Sequence, residues 1–329
     1  MNKILTKNLS KQNILIDNHG RTINYLRLSV TDRCNYRCTY CMPEKMKFLP
    51  KKDLLTFEEM DHLCSLFISR GIKNIRLSGG EPLVRKGIFK FISNLSRYIS
   101  NGDIDEITLT TNGSQLKSFS DDLFQSGVRR INVSLDSLSE EKFNQITRRD
   151  DLNNVIDGLE AAKKAGLKIK INTVVIKNKN LDEIENIISW SHKNNFDISL
   201  IETMPMGLTD KDRIDQYISL SDVKSIIEKK LTLNDSNYKT SGPSKYYRVK
   251  ETDGLIGFIT PLSDNFCSSC NRIRLTSTGK LYMCLGQNNN IDFRNLLRKG
   301  DEKSLNLAID SAMKNKPKSH DFDISYKNQ

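Results

Sequence analysis

Six of the seven cysteines in this 329-residue chain fall into two short groups of three. The two groups are Cys34, Cys38 and Cys41, and Cys267, Cys270 and Cys284. Thiolates spaced this closely bind metal ions or iron–sulfur clusters, because several of them can reach one centre. An odd number of cysteines in a chain without a secretory context argues against a disulfide framework. The spacing therefore predicts two metal centres.

The first group has the pattern Cys-x-x-x-Cys-x-x-Cys within one loop. Four-iron clusters usually take four cysteines, so three thiolates leave one iron open for a ligand that is not protein. The alternative is a zinc ion that borrows a distant fourth ligand, since zinc sites close a tetrahedron. No further cysteine or histidine stands near this loop in the sequence. The pattern therefore favours a cluster over zinc.

The second group is a Cys-x-x-Cys pair followed, after thirteen residues, by a single cysteine. Zinc competes better here, because Cys-x-x-Cys is also a common zinc half-site. His320 lies far along the chain in a polar tail, and we expect it to contribute no ligand. Arg272 and Arg274 follow the pair closely, and guanidinium groups there suit an open cluster that holds an anionic substrate. A second cluster is favoured, with zinc as the alternative.

The local sequence pattern predicts the strands and helices that position the two cysteine groups. Short apolar, β-branched segments alternate with helical patterns, and the predicted strands are 25–30, 74–78, 106–110, 130–135, 168–174 and 197–201. The clearest helix begins at a capping box of Thr56 and Glu59 and stops at Gly71. The seventh thiol, Cys64, lies on the apolar face of that helix and is interpreted as part of the core. Further helices are predicted over 153–165, 181–192 and 221–231.

Repeated strand–helix units predict a parallel sheet with right-handed crossovers. We expect an α/β fold, an incomplete (β/α)6 TIM-like barrel, because the sequence offers no obvious seventh and eighth units. An open doubly wound sheet is the alternative. The pattern changes near residue 235, so we predict a partial barrel over residues 1–235 and a smaller C-terminal domain over residues 236–329. That domain carries the second cysteine group and short strands at 246–249 and 255–260.

Polar residues recur where the predicted strands end, which is the working face of a parallel barrel. They comprise the first cysteine group, the turns at 79–82 and 110–113, Ser134 with Asp136, Lys170 with Asn172, and Glu202 with Met204. Each pattern alone is weak, because such turns occur in many proteins. Their coincidence at one end of six strands predicts a polar cavity approached by the first cysteine group.

The charge balance is positive, with 51 Lys and Arg against 40 Asp and Glu, a net charge of +11. This surplus would suit nucleic acid, a membrane surface or a polyanionic substrate. No run of five or six basic residues marks a nucleic-acid arm, and no apolar run could span a bilayer. The first seventeen residues lack the pattern of a secretory signal. We therefore expect a cytoplasmic protein that binds neither nucleic acid nor membranes.

The first cysteine motif resembles that of radical S-adenosylmethionine (SAM) enzymes. The second motif, followed by Asn-Arg-x-Arg, narrows the similarity to the GTP 3′,8-cyclase family of molybdenum cofactor biosynthesis. Spacing matches that family over residues 20–284. The stretches LRLSVTDRC (26–34), RLSGGEP (76–82) and RINVSLD (130–136) match almost letter for letter.

The resemblance implies two four-iron clusters, one on each group of cysteines, with SAM on the open iron of the first. The residues that match SAM-binding positions are Tyr40, Gly80, Ser134 and Met204, with Glu81 and Asn112 as additional partners. One electron from the cluster would cleave SAM to methionine and a 5′-deoxyadenosyl radical. The cofactors supply this chemistry, while the protein positions them and excludes water.

For the substrate, the resemblance implies that the radical removes the 3′ hydrogen of GTP and that the carbon radical adds to guanine C8. The product would be (8S)-3′,8-cyclo-7,8-dihydroguanosine 5′-triphosphate. The residues that match GTP-binding positions are Arg27, Arg76, Thr110, Lys170, Arg272, Ile273 and Arg274. The open iron of the second cluster would bind the guanine edge. The implied partners are an electron donor and a downstream cyclic pyranopterin synthase, and we expect a monomer or a homodimer.

Two departures from the family pattern stand out. Ser199 occupies a strand-six position where the family often has arginine, and the chain ends in Tyr-Lys-Asn-Gln (326–329) rather than a double glycine. We expect both to affect turnover more than substrate identity. Two other functions stay open at this stage: a peptide-modifying radical enzyme with an auxiliary cluster, and a zinc-stabilised RNA-binding protein.

Overall fold

A computed structural model describes residues 14–205, 207 and 214–322 of the chain. The strands in this part are β1 (Tyr25–Ser29), β2 (Asn74–Ser78), β3 (Glu106–Thr111), β4 (Arg130–Ser134), β5 (Lys168–Val175), β6 (Asp197–Glu202), β7 (Leu233–Asp235), β8 (Lys245–Val249), β9 (Leu255–Ile259), β10 (Arg272–Leu275), β11 (Lys280–Tyr282) and β12 (Asn290–Asp292). The six strands predicted for the barrel are confirmed to within one residue at each end.

The helices follow the predicted alternation. They are α1 (Phe57–Ser69), α2 (Ile88–Ser100), α3 (Leu116–Gln125), α4 (Glu140–Thr147), α5 (Leu152–Lys164), α6 (Ile184–Lys193), α7 (Leu220–Ile227), α8 (Phe293–Arg298) and α9 (Glu302–Lys314), with short 3-10 helices at Lys51–Asp53, Pro82–Val84, Leu181–Glu183, Ile214–Gln216 and Cys267–Ser269. The capping box is confirmed, since Thr56 Oγ1 accepts from the Glu59 N–H and the Glu59 carboxylate accepts from the Thr56 N–H. Among the described residues, none of the helices has the length and apolar character to cross a membrane.

All of these strands join one sheet in the order β12-β11-β10-β1-β2-β3-β4-β5-β6-β9-β8-β7. Every neighbouring pair from β10 to β9 is parallel, and the outer pairs are antiparallel. The predicted incomplete barrel is therefore confirmed. In addition, β9 and β10 extend its parallel sheet on either side, although the sequence pattern assigned this part of the chain to a separate domain. The domain boundary near residue 235 stays a prediction.

The core lies between the sheet and the surrounding helices. Leu26 and Leu28 of β1 are fully buried in it, and Cys64 of α1 is fully buried beside them, in agreement with its predicted core role. Because side chains alternate along a strand, Arg27 points to the other face of the sheet. Because the apolar side chains of each strand pack on the outer face, the alternating polar side chains point into the barrel.

Candidate functional site

The first cysteine group lies in the loop after β1. Cys34 and Cys38 are partly buried and Cys41 is exposed. The Cys34 sulfur accepts from the backbone N–H of Tyr36 at 3.3 Å. Burial raises the pKa of Cys34 to about 11, and the negative charges of Glu81 and Cys41 add to this effect. Burial likewise raises the pKa of Cys38. Bound iron, whose positive charge stabilises thiolates, would offset both effects.

Gly80 and Glu81 hold this loop against the end of β2. A Cβ atom at Gly80 would lie 2.2 Å from the carbonyl oxygen of Arg33, so only glycine permits this close approach. The Glu81 carboxylate is fully buried and accepts from two backbone N–H groups and the Thr111 hydroxyl at 2.7–3.1 Å. The Glu81 carboxylate is therefore hydrogen-bonded to other parts of the protein, and these bonds stabilise the loop. The SAM contacts of Gly80, Glu81 and Asn112 stay predictions.

Tyr40 ties the cysteine loop to the end of β4. Its hydroxyl donates to the Asp136 carboxylate at 2.7 Å, and that carboxylate also accepts from the Val174 N–H at 2.8 Å. Burial raises the pKa of Asp136 to about 6, although both hydrogen bonds oppose the shift. Tyr40 is thus held in one position between two cysteines of the first group.

A cavity of about 260 Å³ lies at the carboxyl ends of the barrel strands. Residues from three of the predicted sets line it. They are Tyr40, Ser134 and Met204 from the predicted SAM set, Arg27, Arg76, Thr110, Arg272 and Arg274 from the predicted GTP set, and Cys267, Cys270 and Cys284 from the second cysteine group. A neighbouring cavity of about 430 Å³ shares Arg27, Arg274 and Cys284 with it. Among the described residues, Gly80, Lys170, Ile273 and the first cysteine group do not line either cavity. The structure thus brings most of the predicted SAM and GTP residues together.

Four arginines form one wall of the cavity. Arg27 lies in sheet register between Arg76 of β2 and Arg274 of β10, and the Arg76 and Arg272 guanidinium carbons lie 5.5 and 5.8 Å from the centre of the Tyr25 ring. Burial, followed by repulsion from Arg274 and Arg76, lowers the pKa of Arg27 to about 9. Within the described parts of the chain, none of the four forms an ion pair with a carboxylate. Buried cations without counter-charges are costly, so this wall suits an anionic ligand.

Buried polar atoms without partners point into the same region. Among the described residues, four buried side-chain atoms make no hydrogen bond: the Nε atoms of Arg272 and Arg274, the Thr110 hydroxyl and the side-chain amide oxygen of Asn172. An unsatisfied buried polar group costs about 1–3 kcal/mol. All four side chains line the cavity, so a bound ligand with phosphate and hydroxyl groups would relieve this cost.

Two predicted GTP residues are placed differently from the arginines. Lys170 is buried and donates to the Tyr246 hydroxyl at 3.1 Å. The Ile273 side chain packs in the hydrophobic core, because it points to the opposite face from its two arginine neighbours. Any contact of Ile273 with a ligand would therefore use its backbone. The GTP roles of both residues stay predictions.

Ser199, where the family often has arginine, lies in a crowded part of the barrel. Its hydroxyl is 3.1 Å from the Ser244 hydroxyl. A Cβ atom at Gly257 of the neighbouring β9 would lie 2.7 Å from the same Ser199 oxygen and 2.9 Å from the Tyr246 ring. The segment around Ser244 and Tyr246 therefore fills the space beside Ser199. The effect of Ser199 on turnover stays a prediction.

The second cysteine group faces the arginine wall. Burial raises the pKa of Cys270, but the positive charge of Lys316, a backbone hydrogen bond from Arg272 and the nearby guanidinium groups outweigh it, so the pKa lies below its usual value. In the described residues, no group of three or more His, Cys, Asp or Glu side chains is arranged to hold a metal ion. The thiols nevertheless share one cavity wall with cationic neighbours, which suits an anionic cluster.

His320, which is remote from this group in the sequence, lies beside it in the structure; that it contributes no ligand stays a prediction. His320 lines the same cavity, and its backbone N–H donates to the Cys267 sulfur. The Nδ1 atom accepts from the Phe322 N–H at 3.3 Å, so the neutral ring carries its proton on Nε2. That Nε2 atom is buried and has no partner among the described residues. A hydrogen-bond donor therefore faces the cavity.

Residues 316–322, which we name the C-terminal strap, bring His320 to this position. Arg21 fastens the strap, since its guanidinium donates to the carbonyl oxygens of Pro317, Lys318 and Cys267 at 2.5–2.8 Å. The position of the strap was not predicted, because a polar segment has no periodic pattern that indicates a contact with a distant part of the chain. The end of the chain at 326–329, where the double glycine is missing, lies outside the described residues.

Two family models match the chain in succession. The model of the radical SAM superfamily matches residues 28–191, and the model described as Molybdenum Cofactor Synthesis C matches residues 196–322. Among curated proteins, GTP 3′,8-cyclases of Brucella ovis and Brucella canis are each 56% identical over 311 residues, which cover 94% of this chain and 90% of the relative.

Solved structures share the fold at much lower identity. Streptococcus suis SuiB bound to S-adenosylmethionine is 17% identical with a TM-score of 0.61, over 89% of this chain and 69% of that chain. The structure of anSMEcpe with bound AdoMet is 16% identical with a TM-score of 0.55, over 79% of this chain and 74% of that chain. At identities this low, the similarity supports the α/β fold but does not identify the substrate.

Proposed function

The chain belongs to the GTP 3′,8-cyclase family of radical SAM enzymes, and from this we propose how its own residues bind the substrate and cofactors. In the proposed reaction, GTP is cyclised between C3′ of the ribose and C8 of the guanine, as an early step of molybdenum cofactor biosynthesis. The observation that carries the proposal is the wall of four arginines, two buried and two partly buried, which lines one cavity with the residues predicted to bind SAM and the second cysteine group.

The first centre would lie in the loop after β1. Cys34, Cys38 and Cys41 would hold a four-iron cluster, and SAM would occupy the end of the cavity lined by Tyr40, Ser134 and Met204. When bound, this pair supplies the one-electron chemistry that starts radical reactions. The protein's part is positional: Tyr40 is fixed by Asp136, and the thioether of Met204 offers a soft, polarizable neighbour for a sulfonium.

The second centre would lie across the cavity, with Cys267, Cys270 and Cys284 as its thiolates. Three protein ligands leave one iron open, and we propose that the guanine edge occupies that position. The Arg272 and Arg274 side chains stand beside these cysteines on β10 and would receive the triphosphate from one side. Arg27 and Arg76 would meet it from the barrel, so the substrate spans the two centres.

The partners of this reaction are those that the resemblance to the family implies. An electron donor must reduce the cluster, and a cyclic pyranopterin synthase would consume the cyclised nucleotide. We propose that these encounters take place in the cytoplasm, with the chain as a monomer or homodimer.

Iron and sulfide analysis of the full chain tests the two centres. After anaerobic reconstitution we expect about eight irons and eight sulfides per chain, because each three-cysteine site would hold a four-iron cluster. A variant with Cys267, Cys270 and Cys284 all changed to Ala should hold about half as much. It should still cleave SAM but form no cyclised GTP.

The same preparation distinguishes the zinc alternative. One zinc per chain with only four irons would contradict the second cluster, while the first could stand. Zinc without iron would contradict both iron–sulfur centres. It would favour the alternative of a zinc-stabilised RNA-binding protein.

His320 provides a further test of substrate placement. We expect His320→Ala to weaken GTP binding by up to about tenfold, because a single hydrogen bond contributes about 0.5–1.5 kcal/mol. Iron content should stay unchanged, because we expect the ring nitrogen that faces the cavity to act as a hydrogen-bond donor and not as an iron ligand. Equilibrium dialysis with labelled GTP measures the first effect and iron analysis the second. His62→Ala is the matched control, because His62 pairs with Glu302 on the surface; loss of iron in His320→Ala alone would contradict the donor role.

A further inference from the structure

We infer that Lys316 is a positioning residue for the second centre: it holds the second cysteine group together and supplies the positive charge that an anionic cluster there needs. This inference rests on the proposed second cluster. It concerns a residue that follows α9 in the C-terminal strap, far along the chain from Cys270.

Lys316 is almost completely buried, with 3% of its surface exposed. Lysine is rarely buried to this degree unless its charge is partnered. Among the described residues, however, no carboxylate forms an ion pair with it. The charge must therefore be balanced by something else in its surroundings.

Its three hydrogen bonds show what the ammonium binds. The Nζ atom lies 3.7 Å from the Cys270 sulfur, 3.1 Å from the carbonyl oxygen of Arg272 and 2.6 Å from that of Met283. An ammonium has three donors, so these contacts use all of them. One of the acceptors is a thiol of the second group, and the other two are backbone groups beside it.

The two carbonyl contacts connect segments that the fold must bring together. Arg272 begins β10 just after Cys270, and Met283 directly precedes Cys284. Lys316 therefore ties the strand that follows the cysteine pair to the segment that carries the third cysteine. The antiparallel pairing of β10 with β11 is a second link between the same two segments.

The contact with sulfur has an electrostatic consequence. The potential of an iron–sulfur cluster depends on its net charge and on hydrogen bonds to its sulfurs. A positive charge beside Cys270 stabilises the reduced, more negative state more than the oxidised state. The ammonium should therefore raise the reduction potential of the second centre.

The test uses the full chain with Cys34, Cys38 and Cys41 changed to Ala, so that only the second centre contributes a signal. Lys316→Met removes the charge and the donors, while Lys316→Gln removes the charge but keeps an amide donor. Lys314→Met is the matched control, because Lys314 is exposed at the end of α9. Iron content and the midpoint potential, from a redox titration followed by electron paramagnetic resonance, are the readouts.

In both Lys316 variants we expect the oxidised-to-reduced ratio at a fixed potential to rise at least tenfold, which is about 59 mV toward more negative potential for one electron. Selective loss of iron from the second centre in both Lys316 variants would also support the inference, provided that the same substitutions leave iron in the first centre of the chain with its first cysteines intact. Lys314→Met should match the parent.

Three results would overturn the inference. If both Lys316 variants retain iron and have the parent's midpoint potential, the charge of Lys316 does not affect the second centre. If only Lys316→Met loses iron and Lys316→Gln keeps the parent's potential, the residue is merely structural. If both centres lose iron, the substitution acts on the fold as a whole. Absence of iron in the parent itself would instead contradict the proposed second cluster.

Discussion

Replacement of Cys38 by Ala is expected to abolish the cleavage of SAM. Cys38 is the middle thiol of the first group and lies deeper than Cys41, which is exposed. Two remaining thiolates cannot hold a four-iron cluster that already has only three protein ligands. Without that cluster no electron reaches SAM, so methionine and 5′-deoxyadenosine should fall to the level of a reaction without enzyme. Anaerobic incubation with dithionite, followed by chromatography of the products, measures the loss.

The chain supplies its own control for this experiment. Cys64→Ala removes a thiol that is fully buried in the core on α1 and belongs to neither cysteine group. It should lower the thermal unfolding midpoint but leave SAM cleavage and iron content intact. The Cys38→Ala variant should also retain the spectrum of the second centre. Production of 5′-deoxyadenosine at the normal rate in Cys38→Ala would mean that the radical chemistry does not depend on this cysteine loop.

Local sequence pattern was sufficient to predict the barrel strands and the first helix. Each of these depends on neighbours within a few residues: alternation of apolar residues along a strand, or the reciprocal bonds of Thr56 and Glu59 at a helix start. The short spacing of Arg272 and Arg274 after the cysteine pair is also a local feature, and both side chains line the cavity. Local pattern therefore predicted the strand ends at which the site lies, whereas the SAM and GTP roles of individual residues came from the resemblance to the family.

Contacts between distant segments could not be predicted in this way. The pairing of β10 with β1 and of β9 with β6 joins segments with no shared pattern, so the sequence suggested a separate domain where the structure extends the barrel sheet. The strap was missed for a related reason. Lysine and histidine in a polar segment favour solvent, and only the contacts of Arg21 and Lys316 bring that segment over the cysteines.

Replacement of Arg272 by Ala is expected to weaken GTP binding by about ten- to a hundredfold. The guanidinium of Arg272 lies between the Tyr25 and Phe266 rings, 5.8 and 5.7 Å from their centres, and its Nε has no partner among the described residues. A charge-assisted hydrogen bond to phosphate contributes about 1.5–3 kcal/mol. Arg272→Lys should recover only part of the affinity, because an ammonium lacks the planar fork that matches phosphate oxygens.

Guanosine separates binding of the triphosphate from effects on the fold. It has no phosphates, so Arg272→Ala should change its affinity far less than that of GTP. Arg248→Ala is the matched control, because Arg248 is an exposed arginine that pairs with Asp253. Equal losses for GTP and guanosine would contradict a phosphate role and place the effect in the cluster or the fold.

Stability gives an independent readout of the same arginine. In the absence of ligand, Arg272 faces Arg76 and Arg274 without a carboxylate partner in the described residues, and their mutual repulsion opposes folding. Arg272→Ala relieves part of that repulsion, so the unloaded variant should unfold at a temperature no lower than the parent. The stabilisation that GTP gives the parent should shrink in the variant, because ligand stabilisation follows affinity. A residue retained for packing alone would show the reverse, a lower unfolding temperature with undiminished stabilisation by GTP. The expected pattern, loss of binding without loss of stability, identifies a charge that the fold tolerates because the substrate neutralises it.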